Sequence, residues 1–331
     1  MKPVLFVTNH APAFRIGAFA RLHEAQDVVF ALVGGELRHG GELARFPALH
    51  PPQRGIARLA ASGRFRAVVA GLSGRVALPA AYLGARAARV PFVLWATIWR
   101  HPRTPAHALS YLPLRHLYRH ADAVATYGPH VSAYVRAKGA SQVFEAPQSV
   151  DDEFWTATAA QPDRRAPFQA LFAGRPAAEK GLEVLEDAWR AAALPGAALV
   201  RATDAAPAQV RNLYAGSDVV VVPSIPTRDF LEPWGLVVNE AFDQGVPVIA
   251  TTAVGAVAGG LVLHEQTGLV VPAGDAAALA AALRRLHGDR ELRARLGAAG
   301  RSAVAAGYSH ADWAAGMARA LKAAGAGKDG C

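Results

Sequence analysis

A chain of 331 residues is long enough for about two domains of ordinary size, and 52% hydrophobic with 18% charged residues excludes a disordered polymer. No apolar run approaches the about 20 residues that a membrane-spanning helix needs, which excludes an integral membrane protein of that kind. The net charge of +9 is unevenly placed: residues 1–150 hold 18 Lys and Arg against 6 Asp and Glu, and residues 151–331 hold 17 against 20.

So basic a first half implies an anionic counterpart. Nucleic acid, phospholipid headgroups and a phosphate-linked acceptor all qualify, as does a bias of genome composition alone. Helix-turn-helix spacing, zinc-ligand spacing and stacking motifs are missing, so nucleic acid is set aside. The lone cysteine, Cys331, permits no intrachain disulfide, and a reducing cytoplasm is the expected compartment.

In chain order, residues 4–8 (Val-Leu-Phe-Val-Thr) read as a buried core strand rather than the start of a signal peptide, followed by the polar loop 9–12 and a helix over 14–23. Strands are expected at 28–33, 65–71, 91–97, 123–128 and 143–147, with a helix at 76–87. Strand, loop and helix in alternation give a doubly wound α/β opening whose strand ends face a ligand crevice. Residues 106–121 mix Leu and Tyr with Arg and His around Pro113, which predicts a kinked or split helix. That interleaving suits a membrane surface as well as it suits a half-buried helix with solvated arginines. The acidic run Asp151-Asp152-Glu153 reads as the first turn of a helix rather than as a metal site.

Residues 156–166 have linker composition, and a second α/β series begins after them. A strand over 168–173 runs into Gly174-Arg175-Pro176-Ala177-Ala178-Glu179-Lys180-Gly181 and then a helix over 182–193. Two cations five positions apart, bracketed by Gly174 and Gly181, read by themselves as solvated loop residues, but they are also the pair that a departing diphosphate would need as it gains charge. Strands at 197–201 and 217–224 lead to the most informative stretch, residues 230–250. There Glu232 and Glu240 stand eight positions apart around a Pro233-Trp234-Gly235 turn. A short helix over 236–244 and a buried strand over 246–250 follow. The first amides of that helix offer a site for an anion or a sugar hydroxyl. Residues 255–260 read as a loop, 276–286 and 291–305 as amphipathic helices, and 308–324 as a last helix.

Glu232 and Glu240 with seven residues between them resemble the Glu-x7-Glu signature of retaining glycosyltransferases of the GT-B fold. The continuation to Gly245-Val246-Pro247-Val248-Ile249-Ala250-Thr251 is similar to the large family 4, the glycosyl transferases group 1. Gly174-Arg175…Glu179-Lys180-Gly181 resembles the family's Gly-Arg-Leu…Glu-Lys-Gly, with Pro176 in place of Leu, and 268–275 its Gly-Leu-Leu-Val-Pro-x-x-Asp. Residues 147–151 resemble its Pro-Asn-Gly-Val-Asp, departing at Gln148 and Ser149, while 201–205 replace its usual Gly-Asp-Gly loop. The resemblance is specific over about 168–310 and weak over 1–150.

It implies an α/β architecture of two Rossmann-like domains facing a central cleft. An acceptor domain would span 1–155, a nucleotide-sugar domain 166–307, and a helix over 308–325 would cross back onto the first domain. It further implies a hexosyltransferase without cofactor or metal, taking its sugar from a nucleotide diphosphate sugar. Arg175 and Lys180 would neutralise the leaving diphosphate and Glu232 would hold the donor sugar. Glu240 would hold the ribose, and Gly174 with Pro233, Trp234, Gly235 and Leu236 would complete the donor site. Arg15 and Gly17, Thr97 (where the family often has a sugar-contacting His), His101 and Tyr127 are candidates for an acceptor or phosphate loop. The basic first half favours a saccharide or lipid-linked acceptor and peripheral contact with an anionic membrane at its inner face. A small natural product as acceptor, a non-catalytic nucleotide-sugar-binding protein and a GT-B epimerase stay open as alternatives.

Overall fold

The computed structural model describes residues 1–34, 45–72 and 74–327, so Cys331 lies outside the described residues. The chain divides into two compact units, one made of residues 1–151 and 309–331 and the other of 152–308.

The first unit is built on seven parallel strands: β1 (Val4–Thr8), β2 (Val28–Leu32), β3 (Ala48–Leu49), β4 (Ala67–Gly71), β5 (Phe92–Ala96), β6 (Ala123–Thr126) and β7 (Val143–Glu145). Their order is β3-β2-β1-β4-β5-β6-β7. β1, β4, β5 and β6 are buried along their whole length, which is why they read as unbroken apolar runs without alternation. The helices are α1 (Ala13–Gln26), α2 (Ile56–Ala60), α3 (Ala77–Ala88), α4 (Pro105–His120) and α5 (Pro129–Ala137), together with α13 (His310–Ala323) from the far end of the chain.

The expected break at Pro113 does not occur, and α4 runs continuously through it. Thr104 caps the start, its hydroxyl accepting from the His107 amide at 3.3 Å, and Pro105 stands at the first position, where no N–H is needed. Pro113 removes one hydrogen bond, but it is exposed, so water can take the carbonyl it leaves behind.

An aromatic cluster holds this unit together. Phe19 stacks on Phe30 at 4.4 Å, and Phe6 lies 5.6 Å from Trp95 and 6.4 Å from Trp313. Trp313, fully buried, is supplied by α13. Gly17 of α1 makes room for that helix, since a Cβ there would fall 2.4 Å from Nδ1 of His310. The His310 ring is in turn hydrogen-bonded to the Phe14 carbonyl at 3.0 Å.

The second unit opens with α6 (Asp152–Thr156), whose first turn carries Asp152 and Glu153. Its five parallel strands are β8 (Phe168–Ala173), β9 (Ala197–Ala202), β10 (Val219–Val222), β11 (Val248–Thr251) and β12 (Gly268–Val271), in the order β12-β11-β10-β8-β9. The helices are α7 (Leu182–Ala192), α8 (Pro207–Gly216), α9 (Val237–Asp243), α10 (Gly255–Ala258), α11 (Ala276–Gly288) and α12 (Arg290–Ala305). Phe172, Leu185, Val219, Ile249, Leu283 and Leu296 form the centre of its core. The loop expected over 255–260 is instead the helical turn α10.

The strand order reverses direction between β8 and β10. In doubly wound sheets that switch point, at the carboxyl ends of the two strands, is where a crevice opens and ligands bind.

Candidate active site

Both segments singled out in the sequence leave the sheet at this switch point. β8 ends at Ala173, and Gly174, at φ +155°, turns the chain while its amide donates to the Ala202 carbonyl at 3.0 Å. A single 3-10 turn over Ala178–Lys180 follows, closed by Gly181 at φ +66°. Gly181 is pressed against the residue after β10, because a Cβ there would lie 2.0 Å from the Pro223 carbonyl oxygen. The Ile225 amide donates to the Glu179 carbonyl at 3.0 Å and completes the docking of the two loops.

That docking delivers Lys180 to Glu232. The ammonium Nζ lies 2.5 Å from Oε2 of the carboxylate, across 52 positions of sequence. The Ser224 hydroxyl donates to the same oxygen at 3.3 Å. Only 8% of the Glu232 side chain and 22% of Lys180 are exposed. A pair so poorly hydrated is held by geometry, since desolvation offsets much of its mutual attraction.

The turn that carries Glu232 is clamped from below. Gly255 approaches the Pro233 carbonyl so closely that a Cβ would stand 2.0 Å away, and the Ala256 amide donates to the Trp234 carbonyl at 2.8 Å. This close approach is made by the helical turn α10, which supports the turn that carries Glu232. Trp234 is buried, its Nε1 donating to Asn239 at 2.7 Å and its ring 5.5 Å from that of Tyr308. It is therefore an anchor of the turn and offers little surface to a substrate. Gly235, at φ +95°, permits the reversal into α9, and Leu236 precedes the helix with no side chain capping it.

Glu240 lies one turn into α9 and accepts a 2.7 Å hydrogen bond from the Tyr214 hydroxyl of α8. Loss of water pushes its carboxyl up to about 7, opposed by that hydrogen bond. Asp243, 4% exposed, is also pushed up to about 7, chiefly by burial and then by the charge of Asp152. Tyr214 and Ser224, partners of the two glutamates, carry no motif of their own; only the fold brings them in. Arg175 is placed differently from Lys180. Its side chain is 74% exposed and pairs with Glu179 at 3.4 Å, so it stands as a solvated cation beside the loop. Among the described residues, no cluster of three or more His, Cys, Asp or Glu side chains has the arrangement of a metal site.

The first-unit candidates are dispersed. Arg15 and Gly17 belong to α1, not to a loop, and Arg15 points inward, 4% exposed. Its Nη2 donates to the Tyr127 hydroxyl at 2.9 Å and to Gln148 Oε1, and its guanidinium lies 4.8 Å from the centre of the Trp95 ring. Burial lowers the pKa of this guanidinium and raises that of the Tyr127 phenol. Arg15 and Tyr127 thus tie α1 to the ends of β5 and β6, and Gly17 serves the packing of α13; a phosphate-facing loop is not what they form. Thr97 follows β5 half-buried. His101 is held against α4, its Nε2 2.7 Å from the His107 carbonyl and its ring 5.2 Å from that of Tyr111.

Residues 129–303 match the family model described as glycosyl transferases group 1. A lipopolysaccharide core biosynthesis glycosyltransferase of Rhizobium meliloti, LpsD, is 41% identical over 78 residues, 24% of this chain and 22% of that protein. A D-inositol 3-phosphate glycosyltransferase of Nocardia farcinica is 38% identical over 121 residues, 36% of this chain and 24% of that protein. The aligned parts thus span less than a quarter of each curated relative. Among solved structures, Anabaena HepE in complex with UDP and glucose superposes with a TM-score of 0.76 at 16% identity, over 97% of this chain and all of that one. The sucrose-phosphate synthase of Thermosynechococcus elongatus gives 0.73 at 18% identity, over 97% and 98%. Two parallel α/β sheets of seven and five strands, shared with GT-B glycosyltransferase structures, and a family match that runs from α5 through α12 place this chain in the glycosyl transferases group 1 family.

Proposed function

We propose that the chain is a retaining glycosyltransferase of family 4 that moves a sugar from a nucleotide diphosphate sugar to a saccharide or lipid-linked acceptor, without a metal ion. The observation that carries this reading is the meeting of Lys180 and Glu232, 2.5 Å apart at the switch point of the second sheet. In this ion pair each neutralises the other. A donor diphosphate draws the Lys180 ammonium to itself and frees the Glu232 carboxylate to accept hydrogen bonds from the sugar hydroxyls. Arg175, exposed on the same loop, adds the second cation. Glu240, following the family resemblance, takes the ribose hydroxyls.

In the transfer step the bond from the anomeric carbon to the diphosphate oxygen breaks and a bond to the acceptor oxygen forms on the same face. The proton of the acceptor hydroxyl passes to the departing phosphate oxygen, so no side-chain nucleophile is needed. Lys180 and Arg175 stabilise the charge that develops on that oxygen. HepE was crystallised with UDP and with UDP-glucose, which makes UDP-sugars the first donors to try. The lipopolysaccharide core biosynthesis enzyme among the relatives supports an envelope saccharide as acceptor.

A thermal-shift panel of UDP-, GDP-, ADP- and dTDP-sugars, with and without magnesium, tests the donor site on wild type and Lys180→Ala. A ligand that binds only the folded state stabilises by about 2.7 kcal/mol at a hundred times its Kd. Stabilisation by one donor class, independent of magnesium and lost in the variant, is expected. A folded protein that responds to none of them overturns the reading.

A further inference from the structure

The first unit carries a groove at the carboxyl ends of β4 and β5, where the loops after both strands meet α3 and α4. Its volume is about 630 Å³, within the range of about 300–1,000 Å³ typical of small-molecule sites. Leu78, Pro79, Ile98, Leu114 and Leu117 make an apolar floor, and Arg75, His101 and His107 stand on its lining. Leu109, also on the lining, and Leu112 are 84% and 69% exposed. Two leucines one helical turn apart and left in water mark a place where something apolar is received.

The lining carries charge of one sign only: Arg75, His101 and His107 stand on it, and no Asp or Glu does. His101 adds a polar atom in search of a partner: Nε2 is engaged by the His107 carbonyl, while Nδ1 is buried with no hydrogen-bond partner among the described residues. A hydrocarbon would fill the floor, and an anionic head would satisfy the cations and that nitrogen.

We infer that this groove holds the hydrocarbon chain of an amphiphile with a phosphate-type head, the lipid tail of the acceptor. Only the word acceptor rests on the function proposed above; the binding site stands on the groove itself.

Calorimetric titration of the full chain with alkyl phosphates of six, eight and ten carbons, kept below their micellar concentrations, tests it. Affinity is expected to rise by about fourfold per buried methylene. Decyl maltoside should bind more weakly than decyl phosphate, and inorganic phosphate alone should not bind. Leu114→Trp, which fills the floor, should weaken decyl phosphate at least tenfold. Leu109→Asp and Arg75→Glu, both at exposed positions that leave the fold intact, should weaken it several-fold. Affinity independent of chain length overturns the inference, as does unchanged affinity in the two exposed variants. So does sedimentation with phosphatidylglycerol vesicles without binding of the monomeric amphiphile, which would make the patch a membrane contact. Stabilisation by nucleotide sugars is read separately, so failure here and failure of the donor site are told apart.

Discussion

Gly181 and Pro223 stand so close that a single methyl group on Gly181 would fall 2.0 Å from the Pro223 carbonyl oxygen. The contact sets the 3-10 turn beneath Lys180 against the end of β10, and Gly181 is also held at φ +66°, where a side chain is strained. Gly181→Ala is therefore expected to cost on the order of 1–3 kcal/mol and to weaken donor binding by more than tenfold through displacement of Lys180. Chemical denaturation and donor titration measure the two effects, and unchanged donor affinity would show that the loop position is not what delivers Lys180.

Lys180→Met removes the cation from a nearly buried carboxylate, whereas Glu232→Gln leaves a lysine that is partly open to water. The lysine change should be the more destabilising, on the order of 1–3 kcal/mol, and the double variant should lose less than the sum of the single losses. Both should reduce transfer by two orders of magnitude or more, for different reasons: the lysine in the charge of the leaving group, the glutamate in the hold on the sugar. A double-mutant cycle on stability, run beside single-turnover kinetics, separates them.

The carboxyls of Glu240 and Asp243 are both raised to about 7. A carboxyl raised on folding binds its proton more tightly in the native state than in the unfolded chain. Stability is then fullest below the unfolded value of about 4 and falls as pH climbs towards 7. Asp243→Asn should flatten the decline, by on the order of 1–3 kcal/mol across that window, because the Asp243 carboxyl is raised the further of the two from its ordinary value. Urea midpoints at pH 5 and pH 8 for wild type and variant check this; an equal slope in both excludes Asp243 as its source.

Gly17→Val should lower the melting temperature by several degrees, since even a Cβ would meet His310 Nδ1 at 2.4 Å. The same change with His310→Ala should recover part of the loss. Failure of the second change to rescue the first would mean that the strain lies within α1 and not in the seat of α13.

The donor half was legible because its signals are local. Gly174 to Gly181 and Glu232 to Gly245 are unbroken stretches in which each turn glycine and helix start is read from its neighbours. Their meeting was not, because the approach of Gly181 to Pro223 depends on β8 and β10 lying side by side. Arg15 misled for the same kind of reason. The family resemblance put it in a phosphate or acceptor loop, and nothing nearby reveals that Trp95, Tyr127 and Trp313 will close around it. Helices α5 and α8 went unread although each opens with a proline at its first position, Pro129 and Pro207. At Pro113 the sequence pointed to a break that an exposed helix face does not require.

The first unit closes its core with Trp313, a residue that the ribosome reaches only after it has made the whole of the second. At about 5–20 residues per second, the stretch from 152 to 308 occupies the ribosome for on the order of ten to thirty seconds. For that time Phe6, Phe19 and Trp95 wait with an open flank, and at its end the contiguous 152–308 segment has every residue of its own core while Trp313 is still to come. Order of synthesis and order of completion are therefore reversed in this chain. The nascent first unit, basic and incompletely sealed, is the stage at which a chaperone or an early misfolding event would find it.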